Sequence, residues 1–415
     1  HMLTTYESAA DETTTVPASK NITVLRDGTF NNASMFKITG GTFEINATDA
    51  SSSITFDGNK IETKVNEGGA FNANGGSINF KGADKSGGGK TITIQNNIIS
   101  SSSASGGGVN IYNSGANTLE NCSITYNKAE SSSSLSAYGG GVYISGRGTN
   151  TLTNCSITGN TISSSSPGAF GGGVYIGGSG TNTLTNCSIT ENKAEPSFNA
   201  RGGGVCIYGG TNTLSNCSIT GNTISSSSAY GGGVCIYSGT STLTSCSITG
   251  NTISSSSASA YGGGVCIYEN TTLLGTTNIT GNTVKNGSDS SDSNLYLASS
   301  SYTVALSDSS GNKLSAGSQI GVTTDSDPTS GTDQKFATNA TEDEMMNYFT
   351  SDKGYVIYKQ GTDIYLTRAP SDLYQSDNKF YLDAEKTKLT NIKTMAEAVK
   401  IATNIHMLSV YTASS

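Results

Sequence analysis

Apolar and polar residues alternate over short stretches that recur along residues 106–285. In "GGGVYIS" (139–145), Val142 and Ile144 flank Tyr143, and this period of two predicts a β-strand. In "NTLTNCSITGN" (150–160), one apolar residue, Leu152, precedes Cys155 and Ile157, which again alternate with polar neighbours. The three-residue step from Leu152 to Cys155 breaks the alternation and predicts a turn between them. Each repeat is therefore expected to contain three short strands.

The repeats keep a nearly constant length, which indicates a solenoid. The valines of the GGGV stretches are 33, 32, 31, 29 and 31 residues apart; they are Val109, Val142, Val174, Val205, Val234 and Val265. Three short strands with one or two apolar residues each cannot bury a face alone, but stacked parallel turns can. The repeats are also rich in β-branched residues and glycine and poor in helix formers. The prediction is an all-β, right-handed parallel β-helix with about 30 residues per coil.

Stacking places equivalent side chains in columns, called ladders. One predicted ladder consists of amides that bond up and down the column at the turn; its members are Asn121, Asn154, Asn186 and Asn216. A second contains inward-facing cysteines that act as small apolar fillers; its members are Cys122, Cys155, Cys187, Cys217 and Cys246. The other three cysteines, Cys206, Cys235 and Cys266, fall between inward Val and Ile and are expected to point outward. All eight are expected to be reduced, because parallel columns rarely reach disulfide geometry.

The flanking segments lack the regular signature and suggest four parts. Residues 1–19 are predicted to form a leader or N-terminal cap, and residues 20–340 the β-helix, with regular repeats over 106–285. Residues 341–369 are predicted to be a C-terminal cap with a short helix at 342–349 and a hairpin, because an exposed solenoid end would template further pairing. Residues 370–415 are predicted to be a linker followed by the truncated start of another module.

Charge and composition exclude several classes. A net charge of −8, with only 13% charged residues, argues against nucleic acid as a partner. The sequence has no run of 18 apolar residues, so membrane insertion is not expected. No cofactor is predicted, and no metal site, since the Asp-containing loop at 324–333 departs from calcium-binding spacing.

The motifs resemble those of known surface proteins. "SITGN" followed by "GGGVYI" resembles the Phe-x-x-Asn and Gly-Gly-Ala-Ile repeats of chlamydial polymorphic membrane proteins, with Ile for Phe and Gly for Ala. "NITV", "MFKITGG" and "ITFDGN", with "FYLDA" and "TMAEAVKIAT" near the end, are more similar to large β-helix surface proteins of treponemes and gut Firmicutes. The resemblance covers roughly residues 20–415. It implies an extracellular or cell-surface location, neighbouring modules in the same chain, and roles in adhesion and host interaction.

Many right-handed β-helices are polysaccharide lyases or glycosidases, which need paired carboxylates or acidic clusters. The regular repeats carry few and scattered carboxylates. The N-terminal coils offer a larger set, namely Asp27, Glu44, Asp57, Glu62 and Glu67. Solvated turn residues explain this set more simply, so no catalytic residue is assigned. A polysaccharide lyase or glycoside hydrolase with its site in these coils remains an alternative.

Two aromatic columns are the candidate binding residues. Tyr208, Tyr237 and Tyr268 follow the GGGVCI strands, whereas Tyr138, Phe170, Tyr230 and Tyr261 precede the glycines. Exposed aromatic columns can hold sugar rings or an extended peptide, although stacking on one another would also stabilise the solenoid. The sequence thus predicts a non-catalytic bacterial surface scaffold or adhesin that binds a host glycan or protein, with a purely structural stalk as a further alternative.

Overall fold

Equivalent strands of successive repeats lie side by side in parallel and in register. The structure is a computed structural model that describes residues 4–368, except 86–87, 134, 166–167, 258 and 330–331, and the strands Leu373–Ser376 and Lys379–Leu382. Val142 pairs with Val174, and Val174 with Val205, so each valine stacks on the next. The chain makes about 11 turns of about 31 residues. The predicted parallel solenoid is confirmed.

The three predicted strands of each repeat form three rows, A, B and C. Row A follows the glycines; its strands are Tyr6–Ser8, Phe36–Ile38, Phe71–Asn74, Val109–Tyr112, Val142–Gly146, Val174–Gly178, Val205–Ser215, Val234–Thr244, Val265–Ile267 and Leu295–Leu297. Row B contains the leucines; its strands are Glu12–Thr15, Thr42–Asn46, Ser77–Lys81, Ala116–Glu120, Thr149–Thr153, Thr181–Thr185, Thr271–Leu274, Val304–Ala305 and Gln334–Thr338, plus the second halves of the two long row A strands. Row C follows the turn; its strands are Asn21–Leu25, Ser53–Asp57, Ile92–Gln95, Cys122–Thr125, Ser156–Thr158, Ser188–Thr190, Ser218–Thr220, Ser247–Thr249, Asn278–Thr280 and Gln319–Thr324. The inward Val, Leu and Ile of these rows form one continuous core.

Two further rows, D and E, occupy the segment between row C and the next GGG stretch, where no strand was predicted from the sequence. Row D comprises Glu62–Thr63, Ile98–Ser101, Lys128–Ser131, Thr161–Ser164, Lys193–Pro196, Thr223–Ser225, Thr252–Ser255 and Thr283–Asn286, with Asp289–Asp292 paired antiparallel at its end. Row E comprises Ala137–Tyr138, Gly168–Phe170, Asn199–Arg201, Ser228–Tyr230 and Ser259–Tyr261. Their inward Ile and Ala side chains pack into a second, smaller core. Each row D or row E strand has at most two inward apolar residues, and in row E the inward alanine is followed by an outward aromatic or arginine, so the alternation pattern did not show these strands.

The ends of the solenoid differ in part from the predicted division. Tyr6–Ser8 and Glu12–Thr15 pair in parallel with the next turn, so the solenoid begins within the segment that was predicted to be a leader or cap. At the other end, a 3-10 helix at Asp343–Tyr348 buries Met345 and Met346. Strand Phe349–Ser351 extends the sheet, and the hairpin Val356–Gln360 and Asp363–Thr367 follows.

Beyond the cap, the structure describes only one antiparallel pair of strands, Leu373–Ser376 with Lys379–Leu382. The predicted start of a further module over 383–415 lies outside the described residues.

The GGGV stretch makes the bend between rows E and A. Gly202 has a φ of +67°, and a Cβ there would lie 2.1 Å from the carbonyl oxygen of Val205. A Cβ on Gly203 would lie 2.4 Å from the carbonyl oxygen of Gly232 in the next turn. The first glycine therefore supplies a left-handed conformation, and the second allows close stacking of adjacent bends.

The amide ladder forms at other asparagines than those predicted. Asn121, Asn154, Asn186 and Asn216 have φ values of +50° to +54°, a left-handed conformation that asparagine tolerates better than most residues. Their side chains are partly or fully exposed at the turn between rows B and C, and amide-to-amide bonds between turns are made elsewhere. The prediction of a ladder at these four positions was wrong, because their role is to make the turn.

The principal ladder instead lies at the bend between rows C and D, in the buried column Asn97, Asn127, Asn160, Asn192, Asn222, Asn251, Asn282 and Asn294. The Oδ1 of Asn192 accepts hydrogen bonds from both the backbone N–H and the Nδ2 of Asn160, each at 3.0 Å. The Nδ2 of Asn192 donates to the Ile157 carbonyl at 2.8 Å and to Asn222 at 3.0 Å. Each buried amide from Asn127 to Asn282 is satisfied in this way by its neighbouring turns, whereas the Oδ1 of Asn97, in the first turn of the ladder, is buried without a partner.

A second, shorter amide ladder precedes the row B leucines. The Nδ2 atoms of Asn117, Asn150 and Asn182 donate to the Oδ1 of the next asparagine at 2.9–3.0 Å, ending at Asn212. The principal ladder ends at a carboxylate, since the backbone N–H and the Nδ2 of Asn294 both donate to Asp352 at 2.7 Å. The C-terminal cap therefore closes the ladder with the hydrogen-bond acceptors that a further turn would have supplied.

We expect Asn192→Ala to lower the unfolding free energy by about 2–5 kcal/mol, because it leaves two buried donors of Asn160 without an acceptor. Chemical denaturation of the full chain measures the change. Asn186→Gly, in the same turn, is the control and should change stability by no more than about 0.5 kcal/mol, since its side chain is exposed and glycine accepts its φ. Equal losses for the two variants would contradict a structural role for the ladder.

The cap should give a distinctive pH dependence. Burial, with a smaller effect of Asp292, raises the pKa of the Asp352 carboxyl above its unfolded value of about 3.9. The folded state therefore binds the Asp352 proton more tightly than the unfolded state does. The stabilisation that this proton provides is fully present below about pH 4 and is lost as pH rises through the raised pKa. The difference in unfolding free energy between the unsubstituted chain and Asp352→Asn should fall between pH 4 and 7. A difference that stays constant or grows would contradict this assignment.

Candidate binding surface

The two predicted aromatic columns meet along one edge of the solenoid. Tyr138, Phe170, Tyr230 and Tyr261 are aligned in row E. Tyr208, Tyr237 and Tyr268 lie just after the GGG bend, at the end of the row A apolar strand. The bend turns the chain so that outward side chains of rows E and A converge, and the ring centroids of Tyr230 and Tyr268 are 5.9 Å apart.

Three more tyrosines complete the surface. Tyr143 and Tyr175 stack with centroids 5.3 Å apart and an interplanar angle of 5°, and Tyr296 stacks on Tyr261 at 4.6 Å. These three share one outward register of row A with the outer cysteines. The connected surface, called the aromatic face below, consists of Tyr138, Tyr143, Phe170, Tyr175, Tyr208, Tyr230, Tyr237, Tyr261, Tyr268 and Tyr296 together with Arg201.

The aromatic face combines buried and exposed rings. Phe170 and Tyr175 are 9% and 8% exposed, whereas Tyr208 and Tyr261 are each 37% exposed. Tyr208 stacks on Tyr237 with centroids 4.4 Å apart. Outward positions of rows B and C in the same turns carry threonine and serine instead, for example Thr183 and Ser188. The aromatic face therefore stands out as an amphipathic strip parallel to the solenoid axis.

The outer cysteines lie beneath this strip, which corrects the expectation that they point outward to solvent. Cys206, Cys235 and Cys266 are each 0% exposed, and Cys206 packs against Phe170 and Tyr175. They do point away from the main core, but the ring layer at the concave bend covers them. Burial raises the pKa of the Cys206 and Cys266 thiols, so these groups stay protonated.

The inner cysteines are part of the core. Cys122, Cys155, Cys187, Cys217 and Cys246 are 0–1% exposed. The Sγ atoms of the last four each lie 3.2–3.4 Å from a row B leucine carbonyl of the preceding turn, so their thiols also make weak hydrogen bonds. All eight cysteines lie within the described residues, and none forms a disulfide.

The N-terminal carboxylates that the enzyme alternative requires are each engaged by nearby polar groups. Glu44 accepts from Lys81 at 2.9 Å and from Asn79 at 2.6 Å, and Asp57 accepts from Gln95 at 2.8 Å. Asn72 donates to Glu67 at 3.3 Å. Hydrogen bonds from Thr29 and from Lys64 lower the pKa of Asp27 and Glu62 respectively, opposite to the change that a general acid needs.

The acidic loop at 324–333 is likewise bonded to the protein. The hydroxyl of Tyr296 donates to Asp325 at 2.9 Å, Lys353 pairs with Asp327 at 2.6 Å, and the hydroxyl of Tyr358 donates to Asp333 at 2.5 Å. Over the residues whose positions are described, no three His, Cys, Asp or Glu side chains are grouped to hold a metal ion.

Fold and surface together define a parallel β-helix with an aromatic strip along one edge. A family model for the right-handed β-helix region matches residues 30–332, which is more than half of the 415 residues. The chain belongs to the right-handed β-helix family, and the predicted handedness is confirmed. Comparison with curated proteins and with solved structures finds no significant match. None of the helices among the described residues has the length and hydrophobicity needed to cross a membrane.

We expect the native protein to react very slowly with a thiol-specific aromatic disulfide reagent, because all eight thiols are buried. After denaturation without reductant, all eight should react. Rapid reaction of about three thiols in the native state would show that the outer column is open to solvent. Fewer than eight reactive thiols after denaturation would show that disulfides form.

Proposed function

We propose that this protein is a non-catalytic, extracellular scaffold of a bacterial cell surface whose aromatic face binds an extended glycan. The observation that carries this proposal is the continuous strip of rings, with Tyr208 and Tyr261 each more than one third exposed. Tyrosine offers an apolar ring beside a hydroxyl, a combination that suits the alternating C–H and O–H groups of sugars.

The shape of the surface favours a chain ligand over a compact one. Successive rings are separated by about one strand spacing, 4.4–6.5 Å between centroids, and they follow the solenoid axis. A polymer laid along this axis contacts several turns at once, and each turn offers a similar group. Affinity then accumulates from repeated weak contacts.

The resemblance to chlamydial, treponemal and Firmicutes surface proteins supports a role outside the cell, in adhesion to a host glycan or protein. A long, stiff solenoid with further modules in the same chain would hold such a binding strip away from the bacterial surface. The purely structural stalk is the alternative that the experiment must separate from this function.

Binding to a glycan array, followed by titration with the glycans that bind, tests the proposal. Tyr208→Ala and Tyr261→Ala should each weaken binding about threefold to tenfold, as expected for loss of one exposed aromatic contact. Tyr126→Gly is the matched control, because Tyr126 is 62% exposed, lies outside the aromatic face and has a φ of +55° that glycine accepts. If no glycan binds, and the tyrosine variants change only the denaturation midpoint, the protein is a stalk.

A further inference from the structure

The aromatic column of row E is interrupted once, by a cation. Phe170 pairs in register with Arg201, and Arg201 with Tyr230, so the arginine occupies a position that is aromatic in the neighbouring turns. The guanidinium carbon lies 4.5 Å from the Tyr237 ring centroid and 5.5 Å from that of Phe170. Tyr230 and Tyr268 lie within 6.0 Å as well. The charge is therefore held at the centre of the aromatic face by cation–π contacts.

This guanidinium keeps its hydrogen-bonding capacity unused. Over the described residues, the Arg201 guanidinium makes no ion pair and no hydrogen bond to protein. Its Nε is buried without a partner, as is that of Arg26, whereas its terminal nitrogens are open to solvent. The aromatic rings stabilise the positive charge, but they do not accept hydrogen bonds from the five N–H groups, which point outward in the plane of the guanidinium. The terminal nitrogens are therefore free to donate to an acceptor from a ligand, in a charge-assisted hydrogen bond.

Arg26 shows how the same protein uses an arginine for structure. Its side chain is 1% exposed, and its Nη1 donates to the carbonyl oxygens of Phe30 at 3.1 Å and Ala33 at 2.9 Å. Its other terminal nitrogen donates to the carbonyl of Gly69. A structural arginine here is thus tied to backbone acceptors, whereas Arg201 has none and sits on a partly exposed strip.

The charges around the aromatic face favour binding of a ligand's negative group at the centre of the face. Asp325 accepts from Tyr296 at one end, and Glu67 accepts from Asn72 near Tyr143 at the other. Both ends of the strip are therefore negative, and the centre is positive. In a chain of net charge −8, a lone cation in such a position favours a ligand that brings its negative charge to that point.

We propose that Arg201 is the anion-binding position of the aromatic face, and that the ligand is an acidic saccharide whose carboxylate accepts the guanidinium N–H bonds. This inference rests on the proposed glycan-binding function and specifies its substrate class. The planar carboxylate matches the guanidinium fork, and adjoining sugar units lie along the rings of the neighbouring turns. Uronic acids and sialic acids both provide this group.

The first test changes the ligand and leaves the protein intact. The full chain is titrated with a uronate oligosaccharide and with a sialylated oligosaccharide, each paired with the same saccharide after reduction of the carboxyl group to an alcohol. At least one acidic form should bind about tenfold or more tightly than its reduced form, as expected for hydrogen bonds to a charged group. The saccharide that shows the difference identifies the source of the carboxylate.

The second test changes the protein. Arg201→Gln should remove the preference for the acidic form while leaving affinity for the reduced form within about twofold, and Arg201→Lys should keep part of it, because lysine keeps the charge but not the fork. Lys193→Gln is the control, since it removes one exposed positive charge from row D of the same turn. If Arg201→Gln fails to fold, Arg201→Lys and the paired acidic and reduced saccharides still test whether Arg201 binds the carboxylate.

Two outcomes would overturn the inference, and they are distinguishable. If acidic and reduced saccharides bind equally, or if Arg201→Gln retains the preference, Arg201 only packs against the rings and the glycan-binding function still stands. If no saccharide binds to the unsubstituted chain, both the inference and the proposed function fail.

Discussion

The buried asparagine ladder is the constraint on which the rest of this molecule depends. From Asn127 to Asn282, each amide oxygen accepts from the backbone and the side chain of the preceding turn, and each amide nitrogen donates to the turns on either side, as Asn160 and Asn192 illustrate. A register slip of one residue would leave these buried groups unpaired and would also reverse every side chain of the adjoining strands. The ladder therefore keeps each valine stacked on the next valine and each ring on the next ring along the axis. The aromatic face exists because the ladder fixes the register between successive turns.

Much of the fold followed from the sequence, because a solenoid repeats its own pattern. The alternation around Val142 and Ile144, that of Cys155 with Ile157, and the nearly constant repeat length were enough to predict rows A and C and their parallel stacking. Rows D and E were not predicted, since each of their strands is too short to show an alternation and row E places small alanines inward and large aromatic rings outward. Their strand character comes from pairing with neighbouring turns, which is a tertiary effect.

The ladder and the candidate site show where pattern alone fails. Asn154 and Asn160 both recur from turn to turn, although serine takes the turn position at Ser245. The backbone distinguishes a left-handed turn residue from a buried amide donor and acceptor. Similarly, the alternation of side chains along the strand correctly placed Cys206 away from the main core. It could not show that aromatic rings cover this cysteine, because that depends on how the chain bends between rows E and A. No role was assigned to Arg201 from the sequence, although its position directly before a GGG stretch would have aligned it with Tyr230.

In a repeat protein, a departure from the repeat carries more information about function than the repeat itself. The glycines, valines and asparagines recur because every turn must meet the same packing and hydrogen-bonding demands. An aromatic residue at the Arg201 position would satisfy those demands equally well, as Phe170 and Tyr230 do in the adjacent turns. Stacking alone therefore gives no reason for a guanidinium at that point, and its N–H donors make no hydrogen bond within the described part of the protein. A partner that completes those hydrogen bonds supplies the reason, and it accounts for both the cation at the centre of the strip and the absence of any protein acceptor among the residues described around it.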